Sequence, residues 1–106
     1  MDRPLLVYTT LPDTDTALAI GEALVSEGLS ACINVLPGMR SVYRWRGAIE
    51  RGEEVVVILK SRTGLRERLH AALKARHPYE TPSIFFIEPA DADEATIGWI
   101  ASETAS

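Results

Sequence analysis

Val55-Val56-Val57-Ile58-Leu59 is apolar at every position, and Ile84-Phe85-Phe86-Ile87 repeats that character. Alternate residues of a strand face opposite sides of its sheet, so two such strands need cover on both faces. The rest of the chain offers two helical stretches, which cover one face of a sheet. A short third stretch carries Ile97, Trp99 and Ile100 but is too brief to roof four strands. The second face therefore predicts self-association, because a large apolar patch left in water calls for a partner.

The order of elements follows from turn and cap signals. Leu5 to Thr10 reads as a strand, and Asp13 is placed to cap a helix from Thr14 to Glu27 that Gly28 ends. Ala17, Ile20, Ala23 and Leu24 fall at helical spacing on it. Ser30 to Leu36 reads as a second strand, bent at Pro37-Gly38 and continued by Ser41 to Trp45. Arg46-Gly47 predicts a hairpin tip that returns through Ile49 to the Val55–Leu59 run. Thr63 is the expected cap of a second helix with Leu65, Leu69, Ala72 and Leu73 on one stripe. Pro78 stops it, Ser83 to Glu88 forms another strand, and Asp91 to Ala101 a final helix. Two β-α-β halves with helices on one side of an antiparallel sheet make a ferredoxin-like α+β sandwich, βαββαβ with a short C-terminal helix. No linker or low-complexity stretch divides the chain, so residues 1–106 are expected to form one domain.

Charge and composition exclude several functions. Eleven Lys and Arg against fifteen Asp and Glu leave a net charge of −4, which disfavours generic nucleic-acid binding. Arg40, Arg44, Arg46 and Arg51 interleave with Tyr43 and Trp45, but Glu53 to Leu59 holds no aromatic on which a base could stack. The longest apolar run has five residues, against the roughly 20 that a spanning helix needs. With one cysteine, Cys32, and no visible export segment, the expected compartment is the reducing cytoplasm. Glycine-rich phosphate loops, nucleophile elbows and zinc-protease helices are absent, and the expectation is a non-enzymatic protein without an organic cofactor.

Two segments carry the candidate chemistry. His77-Pro78-Tyr79-Glu80-Thr81-Pro82 is stiffened by its prolines and presents an imidazole, a phenol and a carboxylate within four positions. Ser41 to Gly47 places Tyr43 and Trp45 on one strand face and Arg44 and Arg46 on the other. The candidate metal ligands are His77, Cys32 and Glu80, with copper first because imidazole and thiolate suit it. No Cys/His set of four converging ligands exists, so any metal site is partial, surface-lying or shared between chains.

Three stretches together, Ser30-Ala31-Cys32-Ile33-Asn34-Val35-Leu36-Pro37-Gly38, Ser41-Val42-Tyr43-Arg44-Trp45-Arg46-Gly47 and His77-Pro78-Tyr79-Glu80-Thr81-Pro82, resemble the CutA divalent-cation tolerance proteins. The resemblance runs from Val7 to Trp99 and includes Lys60. It implies a homotrimer similar in assembly to PII signal proteins, with clefts between subunits, and a link to copper and other divalent ions. In animals it implies anchoring of acetylcholinesterase. Some relatives carry further cysteines after the first strand and in the second helix, where this chain has Thr9 and His70. Tyr43, Trp45, Lys60, Tyr79 and Glu80 are then expected to converge on an intersubunit cleft, aromatics as walls and opposite charges to orient a polar ligand. The leading expectation is a divalent-metal-binding homotrimer active in cation tolerance. The alternatives are a PII-like sensor of a small anionic metabolite and a structural scaffold.

Overall fold

A computed structural model describes residues 2–105. Strand β1 (Pro4–Leu11) leads into α1 (Thr14–Ser26), then β2 (Cys32–Trp45) and β3 (Ala48–Arg62). A 3-10 turn (Thr63–Leu65), α2 (Arg66–Arg76), β4 (Ile84–Ile87) and α3 (Glu94–Glu103) follow. The four strands form one sheet in the order β2-β3-β1-β4, with every pairing antiparallel. That is the ferredoxin-like arrangement expected from the element order.

Local chemistry explains most boundaries. The Asp13 carboxylate accepts from the Thr16 N–H at 2.7 Å, which caps α1. At the other end the Gly28 N–H donates to the Val25 carbonyl and the Leu29 N–H to the Leu24 carbonyl. This is a Schellman closure, with Gly28 at φ +73°. Arg46 and Gly47, at φ +50° and +83°, make the two-residue hairpin turn whose twist suits its flanking strands. Thr63 departs from expectation. Its hydroxyl accepts from the Arg3 N–H and donates to Asp2, so it ties down the N-terminal segment and caps no helix. The 3-10 turn intervenes, and α2 starts at Arg66 without a side-chain cap. Asp93 rather than Asp91 opens α3.

The core lies between the sheet and the first two helices. Leu5, Val7 and Leu11 of β1 and Val55, Val57 and Leu59 of β3 meet Ala17, Ile20, Leu24, Leu65, Leu69 and Leu73. Helix α1 sits so close to β2 that a Cβ on Gly21 would come within 2.1 Å of the Ile33 side chain. Any larger residue there must displace the Ile33 side chain or the helix.

The opposite face carries the alternate set: Leu6, Tyr8, Val56, Ile58 and Phe85, with Leu36 and Ile87 beside them. Phe85 is 59% exposed and Leu36 52%. Helix α3 packs against β3 and buries Ile100, but it leaves Ile97 and Trp99 exposed and does not reach Phe85 or Leu36, which stay open. Its end is held by Arg62, which donates to the Thr104 hydroxyl at 2.9 Å and to Asp2 at 2.5 Å.

Pairing of β1 with β3 stops at Leu11 and Val55, whereas β2 and β3 continue to the Trp45–Ala48 pair. The remainder projects as a two-stranded arm. At Pro37-Gly38 the register slips, so that Leu36 faces Val56 but Met39 faces Glu54. The extra residue is a β-bulge on an edge strand, where a proline costs no ladder bond. Beyond it, Met39, Ser41, Tyr43 and Trp45 share the open face with Glu54.

Candidate functional site

Pro78 stops α2 and leaves His77 extended, at φ −71° and ψ 129°. The ring then turns under the sheet, with Nε2 3.1 Å from the buried Thr9 hydroxyl. Nδ1 accepts the Tyr79 N–H at 3.3 Å, which assigns the proton to Nε2 and makes it the donor to Thr9. Burial pushes the His77 pKa down, although a hydrogen bond with the Thr10 backbone and the Glu54 charge oppose that shift.

Tyr79 carries the connection to the arm. Its hydroxyl donates to Glu54 Oε2 at 2.8 Å, and the Ser41 hydroxyl donates to Oε1 at 2.8 Å. Burial alone would raise the Glu54 pKa, but the bonds from Ser41, Tyr79 and Thr10 outweigh it and hold the carboxylate ionised. Burial, reinforced by that carboxylate, drives the Tyr79 phenol well above its ordinary value and keeps it a donor. Further out, Arg46 at the hairpin tip pairs with Glu80 at 3.0 Å and lies 5.3 Å from the Trp45 ring centre.

These contacts enclose a groove of about 940 Å³ between the arm, the 78–83 loop and the end of the open sheet face. Tyr8, Tyr43, Trp45, Tyr79 and Phe85 supply its aromatic walls. Its size falls in the range of small-molecule sites.

Residues 5–103 match the family profile of the CutA1 divalent ion tolerance protein. The chain belongs to that family. A divalent-cation tolerance protein CutA from Pyrococcus horikoshii is 41% identical over 100 residues, covering 94% of this chain and 97% of that protein. The crystal structure of the divalent ion tolerance protein CutA1 from Ehrlichia chaffeensis superposes with a TM-score of 0.94 at 35% identity, covering 100% of this chain and 99% of that one. A CutA structure from Archaeoglobus fulgidus gives a TM-score of 0.90 at 30% identity over 94% of this chain and 97% of that one. The last is named as periplasmic, so CutA1 membership assigns no compartment to this chain. No helix among the described residues is long and apolar enough to cross a membrane.

Of the residues singled out in the sequence, Tyr43, Trp45, Tyr79 and Glu80 line the groove. Lys60 does not line it: it pairs with Cys32 and stands six positions along β3 from Glu54. Cys32 and His77 are on opposite sides of the sheet. Thr9, the partner of His77, alternates with the core-facing Val7 and Leu11, whereas Cys32 shares the open face with Lys60. Among the described residues no three His, Cys, Asp or Glu side chains come together as a metal group. His70 rests edge-on against Phe86, and His77 lies past the end of α2.

Sequence reasoning missed Glu54, the hub of the network. One signal was available: Glu54 has the parity of Val56 and Ile58, which places a carboxylate in line with an apolar face.

The neutral, buried His77 has a consequence for acid stability. Its ordinary pKa is 6.5 and its folded value is lower. As pH falls through 6.5, the unfolded chain takes up a proton that the fold resists, so stability drops until the folded value is passed. Denaturant midpoints for wild type and His77→Gln should converge in slope above that window and diverge within it, the variant being flatter. Glu54, lowered from 4.5, loses its contribution only at more acidic pH, so it does not mask the difference. Parallel profiles for the two proteins would assign the acid response to other groups.

Proposed function

We propose that this chain works as a non-enzymatic homotrimer in divalent-cation tolerance, binding a divalent ion, copper foremost, with His77, Cys32 and Glu80 contributed to the assembly. The observation that carries the reading is the open sheet face, where Leu36, Phe85 and Ile87 stay exposed. Closed rotational symmetry buries such a face without generating filaments. Within one protomer the three candidate ligands do not form a site, so ion binding belongs to the assembled protein. An ion approaching His77 must also displace either the Thr9 or the Tyr79 bond, which keeps its affinity modest.

Light scattering should give three times the 11.6 kDa chain mass. Calorimetric titration with Cu²⁺ should then lose several-fold in affinity in His77→Ala. A folded monomer at that concentration refutes the assembly. Unchanged titration removes His77 from the metal reading.

A second reading, small-ligand sensing, draws support from the aromatic groove. In the trimer a neighbour's Lys60 would join Tyr43, Trp45, Tyr79 and Glu80 at an intersubunit cleft.

A further inference from the structure

The three carboxylates that line the groove are not equivalent. Glu53 reaches Arg40 at 3.8 Å and Glu80 reaches Arg46 at 3.0 Å. Glu54, the innermost, forms no ion pair among the described residues. Hydroxyls of Ser41 and Tyr79 hold one oxygen each, with Thr10 as a further donor, which orients the carboxylate without neutralising its charge. Arg40 and Arg44 line the groove too, but Arg40 faces Glu53 and the Arg44 guanidinium donates to the Gly47 carbonyl at 3.3 Å.

The Tyr79 ring stands directly against this carboxylate, Tyr8, Tyr43 and Phe85 line the same groove, and Trp45 lines it further out at the hairpin tip. Ring faces attract cations and disfavour anions. A hydrated divalent ion would exchange its water for few oxygens here, because hard cations need six or more oxygen ligands. A cation that carries its own apolar body suits both features. We propose that the groove binds an organic ammonium, with the nitrogen at Glu54 and the apolar body against Tyr79 and Tyr43. This rests on the small-ligand reading and changes its sign, from an anionic to a cationic ligand.

The test uses three probes of one shape and different charge: 2-phenylethylammonium, 2-phenylethanol and 3-phenylpropanoate, titrated into the intact assembled protein. The Tyr43 and Tyr79 ring resonances report binding, and Trp99 on α3, outside the groove lining, serves as the reference. The ammonium should bind at least tenfold more tightly than the alcohol, with the carboxylate weakest, and added salt should narrow that gap. Glu54→Gln should abolish the charge preference while leaving alcohol binding unchanged; the wild-type probe series stands even if that variant folds poorly. Equal binding of ammonium and alcohol, or preference for the carboxylate, overturns the cation assignment and keeps the small-ligand reading. No response of Tyr43 or Tyr79 to any probe overturns both, and the trimer mass and Cu²⁺ titration are unaffected by either result.

Discussion

Ile58→Glu should reduce the assembly to single chains of 11.6 kDa at micromolar concentration. Ile58 sits in the centre of the open face, opposite Tyr8 on one neighbouring strand and Asn34 on the other. In an isolated chain position 58 is half-buried and the new carboxylate keeps access to water, while the core on the far side is untouched. In an assembly built on this face, each copy must desolvate an unpaired charge, an effective cost of several kcal/mol per ion. Every ~1.4 kcal/mol is tenfold in dissociation, so the loss exceeds a hundredfold. Sedimentation at matched concentration gives the answer, with circular dichroism confirming that the chain remains folded. A trimer that persists with Glu at position 58 would mean that subunits meet elsewhere.

Leu59→Ala, one position along, should act through the fold instead. Leu59 is 0% exposed and faces Val7 and Ile33 across the two neighbouring strands. Removing a buried leucine leaves a cavity among α1, α2 and the sheet, and such changes cost about 2–5 kcal/mol. That is a large share of the ~5–15 kcal/mol by which a domain is stable. Leu18→Ala, on the outer side of α1 and 51% exposed, should stay within about 0.5 kcal/mol. Urea midpoints at one protomer concentration compare all three proteins, since stability here is linked to self-association. Equal midpoints for Leu59→Ala and Leu18→Ala would contradict the packing described.

The contrast between positions 58 and 59 is legible in the amino-acid sequence, because parity within Val55–Leu59 separates the two faces. So are the Asp13 cap, the Gly28 closure and the Arg46-Gly47 turn, each a local device with a residue type that names it. Thr63 misleads for a related reason: its hydroxyl has two competing uses, and the one the fold adopts involves Arg3 and Asp2, sixty residues away. The site is half legible. Tyr43, Trp45, Tyr79 and Glu80 stand out by chemistry, whereas Lys60 and Cys32 stand out too but lie at the other end of the open face. Glu54 is hidden because its meaning comes from Ser41 and Tyr79, which three separate segments bring together.

The bulge at Pro37-Gly38 acts on the arm as a frameshift acts on a message. One inserted residue sets the phase in which everything after it is displayed, so the groove side shows Ser41, Tyr43 and Trp45 while the other side shows Arg40, Val42 and Arg44. Lose that single insertion and the two displays trade places, with arginines turned toward Glu54 and the aromatics turned away, although no residue beyond the bulge has mutated. The character of the groove is thus encoded less in the aromatic residues themselves than in the count of residues that precedes them.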